Sequence, residues 1–307
     1  MSYAFVFPGQ GSQSVGMLSE LAEQHTSVTD VYAEASDVLG YDLWDLVQND
    51  ADGNLNRTDI TQPAMLAAGI AVYRVLSEGK TLSPAFVAGH SLGEYTALVA
   101  SGVMSLAQGI ALVAERGRLM QTAVAPGEGA MAAVLGLDDE QVVAVCEQAE
   151  GVVEAVNFNS PGQVVIAGYK AAVDQAMKLA EEAGASRVVP LAVSVPSHCS
   201  LMKPAADKLA ETLQSMPLNM PSVPVLHNVD FSPAASVEEI KERLVQQLYR
   251  PVQWVKTVNT MKGQGVDSLY ELGPGKVLMG LNRRIDRKMG MQAVFDQATL
   301  EKALSSL

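Results

Sequence analysis

The run Gly89-His90-Ser91-Leu92-Gly93 constrains this chain more than any other stretch, because the hydrophobic period changes across it. Ala85 to Ala88 is a short apolar segment after Pro84, the pattern of a buried strand, whereas Glu94 to Val103 is rich in alanine and leucine, the pattern of a helix. A chain that passes from strand to helix in so few residues turns sharply, and side chains two residues to either side of the apex collide with the turn. Glycines at 89 and 93 remove that collision, so the spacing predicts Ser91 at the apex with its hydroxyl projecting from a sheet. The amide of Leu92, at the helix N-terminus, then points toward the oxygen of a carbonyl attacked by Ser91, where negative charge develops.

At 307 residues and 48% hydrophobic content the chain buries a full core, with length enough for one large domain and a smaller one. No apolar run approaches a membrane span, and the N-terminal segment lacks the charged start and apolar centre of a signal peptide, so the expected address is the cytoplasm, without membrane attachment. Two cysteines, Cys146 and Cys199, are too few for a disulfide framework and lack zinc-site spacing; no metal is expected. A net charge of −13 argues against nucleic acid as a partner.

Ala4 to Phe7 reads as a buried strand running into Pro8-Gly9-Gln10-Gly11-Ser12-Gln13, a loop that either supplies a second oxyanion donor or simply turns the chain. Thr61-Gln62-Pro63-Ala64 reads as the opening of a helix that is apolar through Val75, with Gln62 facing a pocket or merely marking the terminus. A further helix spans Leu106 to Ala123. On it, Arg118 shares a face with Glu115, a routine pair, but Arg116 falls among Leu112, Val113, Leu119 and Met120 with no acid three or four residues away. A buried guanidinium costs several kcal/mol if unpaired. Either a tertiary salt bridge or a substrate carboxylate gripped bidentately satisfies it.

From about Met131 the pattern becomes strand (to Leu137), helix (Asp138 to Ala149), two strands (Val152 to Asn157, Gln163 to Gly168), helix (Ala171 to Ala183) and strand (Arg187 to Val193). That βαββαβ order predicts an inserted ferredoxin-like subdomain over 125–196, between core segments 1–124 and 197–307. Asn157 and Asn159 are read as turn residues of its hairpin that either line a cleft or do turn duty only. Beyond it come a strand (Val223 to Asn228), a helix (Ser236 to Gln247), a last strand (Ser268 to Leu272) and a helix after Gly273-Pro274-Gly275 carrying Arg283, Arg284, Arg287 and Lys288, a basic cluster in an acidic chain.

A serine nucleophile needs a base, and four histidines are available. His90 adjoins Ser91 and diverges from it; His25 lies in a polar segment; His227 sits in a predicted strand. His198, in the loop Val195-Pro196-Ser197-His198-Cys199, is favoured, with His227 second. No aspartate has a claim as third member, and Cys199 beside His198 is a weak rival nucleophile.

Taken together and in order, Phe7-Pro8-Gly9-Gln10-Gly11-Ser12-Gln13, Thr61-Gln62-Pro63-Ala64, Gly89 to Glu94, Arg116-Gly117-Arg118, Asn157 to Gly162, Pro196-Ser197-His198 and Glu271 to Gly275 resemble the malonyl-CoA:acyl carrier protein transacylase family of dissociated bacterial fatty acid synthesis. The resemblance spans nearly the whole chain. It implies an α/β-hydrolase-like core with a mostly parallel sheet, a ferredoxin-like insertion and an active site between them. It further implies Ser91 as nucleophile, His198 as base, backbone amides of Gln10 and Leu92 as oxyanion hole, Arg116 as clamp on the malonyl carboxylate, Gln62 as a pocket residue, and the Gln247 carbonyl as the group orienting the histidine. Malonyl-CoA and acyl carrier protein are the implied substrates, with no cofactor, and the chain is expected to act as a monomer. Two positions depart from the pattern: Ser197 stands where malonyl-selective polyketide-synthase relatives often carry a bulky aromatic, and Arg250 stands where an asparagine is expected before Pro251. The competing classes are a serine esterase or thioesterase and a non-catalytic carrier-protein-binding module.

Overall fold

Alternate side chains of strand β1 (Tyr3–Phe7) enter two different cores: Phe5 and Phe7 join one cluster, Ala4 and Val6 another. A strand buried on both faces requires a sheet covered by helices on both sides. The computed structural model describes residues 2–193 and 195–307; Met1 and Ser194, the latter close to the junction expected at 196–197, lie outside the described residues. After β1 come α1 (Ser19–Gln24), α2 (Thr26–Leu39), α3 (Leu43–Asn49), α4 (Thr58–Ser77), β2 (Phe86–Gly89), α5 (Leu92–Ala100) and α6 (Leu106–Gln121). Next are β3 (Gly129–Leu135), α7 (Asp139–Gln148), β4 (Val153–Ser160), β5 (Gln163–Tyr169), α8 (Lys170–Glu182) and β6 (Arg187–Pro190). The chain closes with α9 (Lys203–Ser215), β7 (Val225–Leu226), α10 (Val237–Gln247), α11 (Trp254–Gly263), β8 (Ser268–Leu272), α12 (Val277–Ile285), β9 (Gly290–Val294) and α13 (Gln297–Ser306).

The fold is mixed α/β with two sheets. Five parallel strands run in the order β7-β2-β1-β8-β9. Phe5 and Phe7 pack with Val72 of α4, Leu98 of α5 and Val113 of α6 on one face, and Ala4 and Val6 with Trp254 and Val258 of α11 and Leu278 of α12 on the other. Neighbouring β1 and β2 point their C-terminal ends the same way, which brings the loop after Phe7 beside the turn after Gly89. Open parallel sheets bind ligands at such ends.

The second sheet is antiparallel, ordered β4-β5-β3-β6, with α7 and α8 packed on one face through Val142, Val145, Val173 and Ala176. Its other face meets Cys199 and Leu201. Register shifts in β4 let Phe158 donate its amide to the Val252 carbonyl (3.0 Å) while Val252 donates to Val156 (2.9 Å), tying the two sheets' halves together.

Several boundaries differ from the sequence reading. Strand β4 continues to Ser160, so Asn157 and Asn159 are strand residues; the turn is Pro161-Gly162 alone, with Gly162 at φ 71°, the residue pair a type II turn takes. Helix α4 opens three residues before Thr61, with the Thr61 hydroxyl donating to the Arg57 carbonyl at 2.9 Å and Pro63 inside the helix, so Gln62 is a helical interior residue rather than a terminus. Ser268 to Leu272 is not the last strand, since β9 pairs beside it, and of Val223 to Asn228 only Val225–Leu226 pair. No helix among the described residues is long and apolar enough to cross a membrane.

Candidate active site

The turn after β2 carries Ser91 at φ 51°, ψ −111°, a backbone conformation that costs a non-glycine residue on the order of 1–3 kcal/mol. The flanking glycines are sterically required: a Cβ on Gly89 would lie 1.8 Å from the Gly93 carbonyl carbon, and one on Gly93 would lie 2.0 Å from the Phe7 oxygen. Asn228, fully buried, holds the strained turn from behind. Its Oδ1 accepts from the Ser91 amide at 2.7 Å and its Nδ2 donates to the Gly89 carbonyl at 2.6 Å.

His198 reaches this apex from far along the chain. Its Nε2 lies 2.7 Å from Ser91 Oγ and its Nδ1 lies 2.6 Å from the Gln247 carbonyl. A carbonyl only accepts, so Nδ1 carries the proton and Nε2 presents its lone pair to the serine hydroxyl. Burial, and after it the Arg116 guanidinium, push the imidazole pKa down to about 3, which leaves the ring neutral. The pair is therefore a serine with a free base, oriented by a backbone carbonyl and by no carboxylate.

Arg116 is 1% exposed and reaches the same point. Its Nη1 donates to Gln62 Oε1 (2.7 Å) and its Nη2 to Gln247 Oε1 (3.0 Å), with Ser91 Oγ at 3.4 Å from Nη2. The Tyr95 ring lies 5.2 Å away as a cation-π partner, and Nε is buried without an acceptor among the described residues. Burial pulls the guanidinium down from its usual value, opposed by Tyr95 and Glu94. A buried cation with only neutral hydrogen-bond acceptors among the described residues and a spare N–H has the chemistry to receive an anion.

Gln10, Gln62, His90, Ser91, Leu92, Arg116, Asn157 and His198 line one cavity of about 120 Å³, together with apolar side chains that include Met131 and Val193. The amides of Gln10 and Leu92 have no acceptor among the described residues, the condition an oxyanion hole requires. Asn159 does not line the cavity: it is 8% exposed and its Oδ1 holds His90 Nε2 at 2.7 Å. A larger hollow of about 610 Å³ near Tyr41 and Trp44 lies apart from these groups.

The other candidates fall away on contacts. His227 is buried with Nδ1 2.7 Å from Glu94 Oε1, His25 pairs with Glu78, and Cys199 donates to the Pro196 carbonyl, its thiol pushed up to about 12 by burial. Among the described residues no group of His, Cys, Asp and Glu has the arrangement of a metal site. Glu94 and Asn228, both buried against the turn, escaped the sequence reading. Nothing in the helical pattern that begins at Glu94 singles out its carboxylate, and no local signal links Asn228 to a turn 137 residues earlier.

The acyl transferase domain family matches residues 4–286. The chain is 54% identical over 304 residues to the malonyl CoA-acyl carrier protein transacylase of Escherichia coli strain K12, covering 98% of each. Among solved structures it superposes at a TM-score of 0.96 on an acyl carrier protein S-malonyltransferase from Vibrio cholerae, 54% identical, covering 99% of this chain and 100% of that one. It superposes at 0.99, with 52% identity and full coverage of both, on a malonyl-transacylase in complex with a type II polyketide-synthase acyl carrier protein. With a family match over most of its length and a relative of this identity along nearly all of it, the chain belongs to the malonyl CoA-acyl carrier protein transacylase family of acyl transferase domains.

Proposed function

We propose that this protein moves a malonyl group from malonyl-CoA to the phosphopantetheine thiol of acyl carrier protein through an ester on Ser91. The observation that carries the reading is the buried guanidinium of Arg116, without a carboxylate partner among the described residues, 3.4 Å from a serine hydroxyl that is itself hydrogen-bonded to a neutral imidazole. His198 Nε2 takes the Ser91 proton as Oγ attacks the thioester carbonyl, and the amides of Gln10 and Leu92 hold the resulting oxyanion. Collapse breaks the C–S bond, and the CoA sulfur leaves with the proton from His198. The carrier-protein thiol then gives its proton to His198, attacks the ester, and Ser91 recovers a proton as its C–O bond breaks.

Arg116 gives the site its preference for a dicarboxylic acyl group and holds the ester carbonyl where a thiol, rather than stray water, can reach it. Its charge also lowers the basicity of His198, so a malonyl carboxylate bound to it restores part of that basicity. The reaction uses no cofactor; malonyl-CoA and the phosphopantetheinylated carrier protein are its two substrates. The βαββαβ unit, with its strand order 2-3-1-4 within the unit, supports a ferredoxin-like subdomain over 125–196 on a hydrolase-like core of 1–124 and 197–307. The expected compartment is the cytoplasm.

Incubation with malonyl-CoA followed by intact-mass measurement tests the reading: the protein gains one malonyl group, and holo acyl carrier protein removes it. Failure to gain that mass overturns the proposal. Because His198 is depressed to about 3, its free-base form persists well below the ordinary histidine value of about 6.5. The kcat/KM for malonyl-CoA, which reports the free enzyme, accordingly stays level as pH falls from about 7 to about 5. A decline centred near 6.5 means that the imidazole is not held as described.

The carrier protein's docking face is assigned to Arg283, Arg284, Arg287 and Lys288, all exposed, of which the arginines rim a hollow of about 500 Å³ with Met289 and Met291. Arg283→Glu with Arg287→Glu raises KM for the carrier protein about tenfold through like-charge repulsion and leaves KM for malonyl-CoA alone. Steady-state kinetics with each substrate varied separately decides it, and two unchanged constants remove the assignment.

A further inference from the structure

Glu94 is fully buried on the first turn of α5 and makes no contact with the cavity, yet three N–H groups converge on it. Oε1 accepts from His227 Nδ1 at 2.7 Å, and Oε2 accepts from the Asn228 amide at 2.9 Å and from Gln247 Nε2 at 2.8 Å. Its place three residues after Ser91 suggests a capping box, but no such box forms. The Ser91 amide is taken by Asn228 Oδ1 and the Ser91 hydroxyl faces His198, which frees the carboxylate for the core.

Two of the three residues hydrogen-bonded to Glu94, Asn228 and Gln247, also hold the site. Asn228 fixes the Ser91 amide and the Gly89 carbonyl. Gln247 donates its second N–H to the Ser91 carbonyl at 2.9 Å, gives its own carbonyl to His198 Nδ1, and accepts from Arg116 Nη2 at 3.0 Å. A cation, a side-chain amide and a carboxylate thus form one chain, in which each hydrogen bond polarises the next. The negative charge stands one amide behind the guanidinium. It balances the buried cation while leaving the remaining N–H groups open.

We propose that Glu94 is the positioning residue of this site: through Asn228 and Gln247 it fixes nucleophile and base, and from behind Gln247 it balances Arg116 without occupying it. A carboxylate placed directly on Arg116 would fill the seat of a substrate anion; none at all would leave a buried cation without a counter-charge. This inference rests on the acyl-transfer reading and assigns the residue that prepares its site.

The test compares acylation of the full-length protein by malonyl-CoA and by acetyl-CoA, with rates expressed per active site titrated by intact mass. Glu94→Gln turns an N–H toward three donors; displacement of the turn and base on that scale lowers malonyl acylation about 100-fold. Acetyl acylation falls less, since it does not use Arg116. The exchanged pair Glu94→Gln/Gln247→Glu restores a hydrogen bond between the two positions and the total charge, but sets the carboxylate against Arg116. In it acetyl acylation rises above that of Glu94→Gln, whereas malonyl acylation stays low. A tether of purely structural kind lowers Tm and leaves per-site rates unchanged, and that result, or recovery of both acyl groups together in the exchanged pair, overturns the proposal. If Glu94→Gln does not fold, the exchanged pair alone decides, by its malonyl-to-acetyl ratio against wild type. Absence of labelling in the wild type would instead defeat the acyl-transfer reading itself.

Discussion

Ser91→Ala protein gains no malonyl mass on incubation with malonyl-CoA, and its transfer rate falls by about 10⁶-fold, the scale set by removing a nucleophile from a unit in which serine and base act together. The loss is large because no neighbouring group can substitute. Cys199 is buried, keeps its proton with a pKa of about 12 and donates to the Pro196 carbonyl, and His198 is oriented toward the missing oxygen by the Gln247 carbonyl. His198→Ala loses a comparable factor, and the double variant is no worse than either single one, since each substitution disables the same proton transfer. Intact mass and single-turnover transfer to holo carrier protein measure both. A malonyl adduct on Ser91→Ala protein would place the ester on another residue and dismantle the scheme.

Arg116→Ala divides the substrates instead of abolishing the reaction. Truncating one partner of a buried charge-assisted contact costs about 2–5 kcal/mol, which corresponds to roughly 30- to 4,000-fold in malonyl acylation. Acetyl transfer has no carboxylate to lose and is spared or improved, because the guanidinium that depresses His198 has gone and the base is stronger without it. Arg116→Lys keeps the charge but not the planar fork, so it falls between wild type and Arg116→Ala with malonyl-CoA. The ratio of the two acylation rates is the measurement. Equal losses with both acyl groups would mean that Arg116 holds the turn rather than the substrate.

The parts of this site that the sequence displays are those whose causes are local. Gly89 and Gly93 are needed because a Cβ at either would overlap backbone at about the distance of a covalent bond, and that requirement shows as a spacing. Arg116 is conspicuous for a similar reason: on a helix, period and the absence of a nearby acid are visible without any coordinates. Asn157 and Asn159 misled because asparagine next to Pro-Gly reads as turn, whereas the bulged strand β4 carries pairing through to Ser160 and divides the two side chains, one lining the cavity and one behind His90. Pro63 misled in the same way, as a proline one turn inside a helix resembles one at its start.

By itself, then, the chain determined a serine at a strand-to-helix apex, favoured a histidine in a downstream loop and showed an arginine without a partner on its own helix, since steric spacing, loop placement and helical period are properties of neighbouring residues. Only the tertiary structure decided what lies behind them. Glu94 contacts residues 133, 134 and 153 positions away, and those contacts exist only after a parallel sheet has brought β2 beside β7 and α10 has packed against them. A carboxylate's hydrogen-bond partners leave no periodic mark in a sequence; they are set by which elements the fold makes neighbours.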